Sequence, residues 1–135
     1  MATTRAEVSA GVGAALAAYT QALDDGRTDD VVATYCAEGS CDIPGLGSHA
    51  GHDALRAAYA KVAPRVAQRH LVLNTLLTAW DEHEARATSD VVFLLHTEGA
   101  WQILLVGRYH DVLHRRDVTW RFHHRQAEFV PGPGR

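Results

Sequence analysis

Between Thr4 and Asp24, apolar residues recur at three- and four-residue steps. Val8, Val12, Ala15, Leu16, Tyr19 and Leu23 fall on one stripe, the pattern of an amphipathic helix. Thr4 with Glu7 has the form of a capping box, and Asp24-Asp25-Gly26 supplies a left-handed cap at the far end. A second, short helix is predicted from Thr28 to about Ala37. Thr28 caps it, Asp29 and Asp30 favour its positive end, and Val31, Val32 and Tyr35 face inward. Gly39 to Ile43 reads as a short strand stopped by Pro44-Gly45, and Gly45 to Gly51 as a loop. A third helix runs from His52 to about Val66, with Leu55, Ala58, Tyr59 and Val62 on its inner stripe and Pro64 disrupting its last turn. From Gln68 onward the period changes to two. Four long strands are predicted, about Arg69 to Trp80, Ala85 to Thr97, Trp101 to Arg115 and Val118 to Val130. Their short connections favour antiparallel neighbours, and Gly107 marks a bulge that curves the sheet.

Helices followed by a meander of curved strands give an α+β architecture. A sheet bent around a helix closes a cone, and a cone with one open end makes a pocket. The 135 residues suit a single domain, with its core over about residues 5–130 and a frayed tail at 131–135. The first long strand organises the rest. His70, Val72, Asn74 and Leu76 alternate onto one face, with Leu71, Leu73, Thr75 and Leu77 on the other. Both faces are largely apolar, so this strand is expected to be covered on both sides.

Composition narrows the functional classes. A net charge of -3 leaves no basic footprint for nucleic acid. No apolar run approaches the roughly 20 residues needed to span a bilayer, and residues 1–8 lack the apolar core of an export signal. A cytoplasmic protein with two free thiols, Cys36 and Cys41, is expected.

Against the apolar background three polar residues stand out: Asp24 ending the first helix, His70 opening the first long strand, and His96 ending the next. Antiparallel pairing across the Asp81–Glu84 turn would bring His70 and His96 to the same end of the sheet. A histidine is an effective base near neutral pH. A carboxylate on one ring nitrogen fixes the tautomer and stabilises the imidazolium that forms. Asp24 with His70 would be such a dyad, with His96 donating a proton to a leaving hydroxyl or polarising a carbonyl. Proton abstraction beside a carbonyl followed by loss of water needs no metal or cofactor. Asn74 and Val72 on the His70 face, Leu94 beside His96, and Tyr19, Tyr35 and Tyr109 are the candidate binding residues. The polar members could equally be satisfied within the fold. The remaining histidines show no spacing diagnostic of a metal site.

Three stretches carry a family resemblance: Tyr19 to Gly26, Gly51 to Leu55, and Arg69 to Asn74. With Gly107 to Asp111 and Arg116 to Phe122 they resemble the SnoaL-like, scytalone dehydratase-like branch of the nuclear transport factor 2-like superfamily, over roughly residues 5–130. The resemblance implies a cystatin-like α+β cone with a curved antiparallel sheet around the N-terminal helices. It places the family's aspartate on Asp24, its histidine on His70, and a second histidine within one residue of His96. The pattern also departs from scytalone dehydratase. Leu23 and the Ile43-Pro44 region stand where that enzyme has water-holding tyrosines, and Gly107 and Tyr109 replace a serine and an asparagine. The expectation is a cofactor-independent lyase or isomerase acting on a small hydrophobic ring compound. A polyketide cyclase-like enzyme using an aspartate as acid and base, or a non-catalytic ligand-binding or small-subunit protein, are the alternatives. Homodimers or larger homo-oligomers through the sheet are implied as well.

Overall fold

The computed structural model describes residues 3–131. Its elements are α1 (Arg5–Asp24), α2 (Thr28–Ala33), β1 (Tyr35–Ile43), β2 (Gly47–Ala50), α3 (His52–Lys61), β3 (Gln68–Trp80), β4 (Glu84–Thr97), β5 (Ala100–Arg116) and β6 (Thr119–Phe129). One six-stranded sheet runs in the order β2-β1-β6-β5-β4-β3. All neighbours are antiparallel except β1 and β6. The architecture is the α+β cone expected, with a curved, unclosed sheet wrapped on helices.

The capping box forms as predicted. The Glu7 N–H donates to Thr4 Oγ1 and the Thr4 N–H to the Glu7 carboxylate, both at 3.2 Å. Helix α1 lays Val8, Val12, Leu16, Tyr19 and Leu23 into the sheet's concave side, where they meet Leu77, Ala85, Leu113, Trp120 and Phe122. Gly11 is where the Trp120 indole lies against the helix, and a Cβ there would collide with the ring.

Several local expectations need correction. The second helix stops at Ala33 rather than Ala37, because β6 captures the chain that follows. The Phe122 N–H donates to the Thr34 carbonyl at 2.8 Å, and Tyr35 pairs with Phe122. The loop after Pro44 contains β2, which pairs back on β1 from Ser40↔Ala50 to Ile43↔Gly47. The third helix ends at Lys61. Pro64 disfavours helical geometry in the residue before it, and Val62 is exposed rather than inward. Gly107 is not a bulge. It pairs in register with Val91 and Phe129, and a Cβ there would sit 2.7 Å from the Glu128 carbonyl oxygen.

The sheet bends elsewhere. Register shifts occur between Leu73 and Leu76 and between Leu77 and Ala79 in β3, opposite Phe93 and Leu94 in β5, and opposite Val112 and Leu113 in β6. Nor is β3 covered on both sides. It is an edge strand, and Leu71, Leu73 and Leu76 are 47%, 41% and 58% exposed. No helix among the described residues is long and apolar enough to cross a membrane. Residues 132–135 of the predicted frayed tail lie outside the described residues.

Candidate active site

Asp24 is the last residue of α1. The negative end of a helix is a poor place for a carboxylate, so three donors hold this one. His70 Nδ1 lies 2.6 Å from Oδ1, the His70 backbone N–H donates to Oδ2 at 2.7 Å, and Gln68 Nε2 donates to Oδ1 at 3.1 Å. Because β3 begins at Gln68, the strand's first turn of backbone and two of its side chains converge on one carboxylate. A carboxylate only accepts, so Nδ1 carries the proton and neutral His70 keeps its lone pair on Nε2. Nε2 has no hydrogen-bond partner among the described residues. The Asp24 side chain is 4% exposed and that of His70 14%. Phe93 stacks on the imidazole with centroids 4.2 Å apart, fixing its plane.

His70 borders two spaces. One is an open groove of about 740 Å³ between α1 and β3, with Gln21, Asp25, Arg69 and Leu71 along it. The other is a cavity of about 260 Å³ inside the cone, walled by Tyr19, Leu23, Tyr59, Phe93, Tyr109 and Phe129, with the Ile43–Leu46 turn at its rim. The groove is larger, but the cavity has the predominantly apolar, aromatic lining that suits a small hydrophobic ligand. A cavity of about 150 Å³ takes a benzene, so this one has room for a substituted ring.

The cavity floor is a chain of phenols. Tyr19 and Tyr59 hydroxyls are 2.6 Å apart, and Tyr59 and Tyr35 hydroxyls 2.7 Å. Burial pushes all three well above the usual tyrosine range, so they are neutral donors. Beneath the floor lies Arg125, fully buried and paired with Asp111 at 2.9 Å and 3.3 Å. Its guanidinium sits 3.5 Å from the Tyr109 ring centroid and 4.3 Å from that of Tyr19. Burial alone would lower the arginine's pKa, but Asp111 and the surrounding phenols more than offset it, leaving it above the ordinary value.

Of the sequence-predicted residues, the structure brings together Asp24, His70, Tyr19 and Tyr109. Tyr35 stands one step behind, against Tyr59. Val72 is half-buried and borders the groove. Asn74, Leu94 and His96 are elsewhere. Asn74 occupies the β3 irregularity with φ 56°, and its Nδ2 donates to Asp90 Oδ2 on the outer face at 2.9 Å. The simple alternation that placed it beside His70 fails there. His96 does reach the His70 end of the sheet, its N–H donating to the Ala67 carbonyl at 2.9 Å. Its ring is exposed on the outer face beside Trp101, and Leu94 shares that face. Phe93, not His96, is the β4 residue that meets the imidazole. Tyr59, Gln68, Phe93 and the Asp111–Arg125 pair went unpredicted. A cross-strand register of Asp111 with Arg125 would have shown the last.

A curved, unclosed sheet wrapped on helices is the architecture of the nuclear transport factor 2-like, cystatin-like fold. Residues 4–126 match the SnoaL-like domain, and the chain belongs to that family. Comparison with curated protein sequences gave no match. Among solved structures it is similar to a Mycobacterium tuberculosis protein of unknown function, with TM-score 0.80, 26% identity, and 87% of this chain covered against 69% of that one. A candidate scytalone dehydratase from Novosphingobium aromaticivorans superposes with TM-score 0.77 at 20% identity, covering 89% and 82%. A Catenulispora acidiphila protein in complex with S-DNPA gives TM-score 0.82 at 21% identity, covering 93% and 95%. The latter two likenesses speak for the fold.

Proposed function

We propose that this protein is a cofactor-independent, dehydratase-like lyase or isomerase acting on a small hydrophobic ring compound. One observation carries the reading: Asp24 Oδ1 holds His70 Nδ1 at 2.6 Å, which leaves Nε2 as an unpartnered base at the aromatic cavity. Nε2 takes a proton from the carbon beside a substrate carbonyl, and the C–H electron pair becomes the new C=C bond. The hydroxyl on the next carbon leaves with the C–O pair, accepts a proton from Tyr19 and departs as water. The His70 imidazolium then returns the substrate's proton to the Tyr19 phenolate, so both side chains regain their starting states. The proton-donor role expected of His96 passes to Tyr19, since His96 lies on the other face.

Both oxygens of Asp24 are taken up by His70 and Gln68. That favours an orienting aspartate over the cyclase-like alternative, in which the aspartate itself exchanges protons with substrate. Single-ring cyclic ketones, with and without a β-hydroxyl, test the reading. Deuterium exchange beside the carbonyl, followed by NMR, and loss of water should both occur without added cofactor. His70→Ala should lower them by about 10²–10⁴-fold, and Asp24→Asn by up to about 10⁴-fold, with circular dichroism unchanged. Undiminished exchange in folded His70→Ala protein would falsify the mechanism.

The same family resemblance extends to assembly. The outer face of β3, β4 and β5 exposes Leu71, Leu73, Trp101, Ile103, Leu104 and Val106, a contiguous apolar surface of the kind that marks an interface. A homodimer or larger homo-oligomer through this face is part of the proposal.

A further inference from the structure

Away from the cavity, on the outer side of the sheet, three potential metal ligands from two strands converge. Cys36 and Glu38 come from β1 two residues apart, and His114 from the end of β5. One ligand atom of each lies within 4.8 Å of the other two. Arg116 Nη2 donates to Glu38 Oε1 at 2.7 Å and approaches His114 Nδ1 at 3.5 Å. A cationic N–H group therefore already sits between the carboxylate and the imidazole lone pair. Among the described residues the Cys36 thiol has only a long contact, 3.7 Å, to the Arg121 carbonyl. Behind the cluster the His123 ring stacks on His114 at 4.1 Å, holding its plane, and His123 Nδ1 is buried without a partner among the described residues.

We infer that Cys36, Glu38 and His114 form a binding site for one divalent transition-metal ion of the zinc class, with Arg116 as its internal competitor. A thiolate, an imidazole and a carboxylate are the mixed donors that Zn²⁺ and Co²⁺ accept in tetrahedral geometry, with a fourth position left for water. Mg²⁺ and Ca²⁺ want oxygen donors throughout. Bond lengths of about 2.0–2.3 Å put tetrahedral ligand atoms about 3.5 Å apart, so the three need close in by no more than about an ångström. Glu38 and Arg116 side chains, each about half exposed at 50% and 51%, are free to make that adjustment. The arginine swings out as the ion enters. The bound ion ties β1 directly to β5 across the intervening β6, so it stabilises the fold by binding the native state alone.

The test is a Co²⁺ titration of reduced, untagged, chelator-stripped protein, followed by displacement with Zn²⁺. One equivalent should give a saturable thiolate-to-cobalt absorption band and raise the melting temperature. Cys36→Ser should abolish the band and Cys41→Ser keep it. His114→Ala and Glu38→Gln should each weaken binding by at least about tenfold, the scale for lost support around a metal, and Arg116→Ala should tighten it. Absence of a band in the unmodified protein, or a band that follows Cys41 instead of Cys36, overturns the assignment. Were Cys36→Ser not to fold, unchanged affinity in His114→Ala and Glu38→Gln would overturn it equally.

Discussion

The tightest constraints in this chain fall on single buried polar side chains. Arg125 and Asp111 are both wholly enclosed, and removing one leaves the other's charge without a partner. Arg125→Met should therefore destabilise the protein by about 3–5 kcal/mol, whereas replacing both with apolar residues should recover most of the loss. Urea denaturation of Arg125→Met and of the double variant measures this directly. The four tyrosines make a second case. Burial is the first cause of the raised pKa at each of Tyr19, Tyr35, Tyr59 and Tyr109. Their folded pKa values exceed the unfolded value of about 10, so the unfolded chain gives up its phenolic protons first. Their contribution to stability is complete below about pH 10 and declines above it. An alkaline titration followed by ultraviolet absorption should show tyrosinate appearing together with unfolding, not before it.

At the level of elements, periodicity and capping chemistry were enough to find α1 and all four long strands. Thr4, Glu7 and the Val8–Leu23 stripe act locally, and the local rule is the one the fold obeys. The Asp24–His70 pairing was legible for a similar reason, since a helix end and a strand start are positions that periodicity locates. What stayed hidden depended on partners distant in sequence. Tyr35 reads as helical until β6 claims it, β2 exists only as a mate for β1, and parity along β3 holds only until its first irregularity. Asn74 shows the consequence. Its left-handed backbone (φ 56°) costs most residues about 1–2 kcal/mol, and asparagine tolerates it. Asn74→Gly should keep near-normal stability, and Asn74→Val should lose about that amount. Since the side chain serves Asp90 on the outer face, neither change should alter turnover once the protein is folded. Melting curves and activity on the same two preparations separate the two effects.

For the whole molecule, two faces of one sheet carry different tasks. The concave side holds α1, the phenol chain and the dyad, and its polar groups are largely paired. The convex side over β3–β5 carries an open apolar patch, with Ile103 66% and Leu104 58% exposed. The irregularity opposite Phe93 and Leu94 falls at these residues, so Ile103 and Leu104 both stand clear of the sheet instead of alternating across it. An isolated chain would leave this patch, together with Trp101 and Leu71, in water, and burial at about 25 cal/mol per Å² of apolar surface favours a second copy. If that copy is what covers the face, then one charge at its centre should be decisive, because an aspartate buried there would lack a partner. Ile103→Asp should leave the circular dichroism spectrum intact and shift sedimentation from dimer or larger assembly to monomer. A wild-type protein that sediments as a monomer at high concentration would overturn the assembly, and an Ile103→Asp variant that assembles unchanged would place the interface elsewhere. The catalytic prediction is untouched by either result, because every member of the dyad and phenol chain comes from within a single chain.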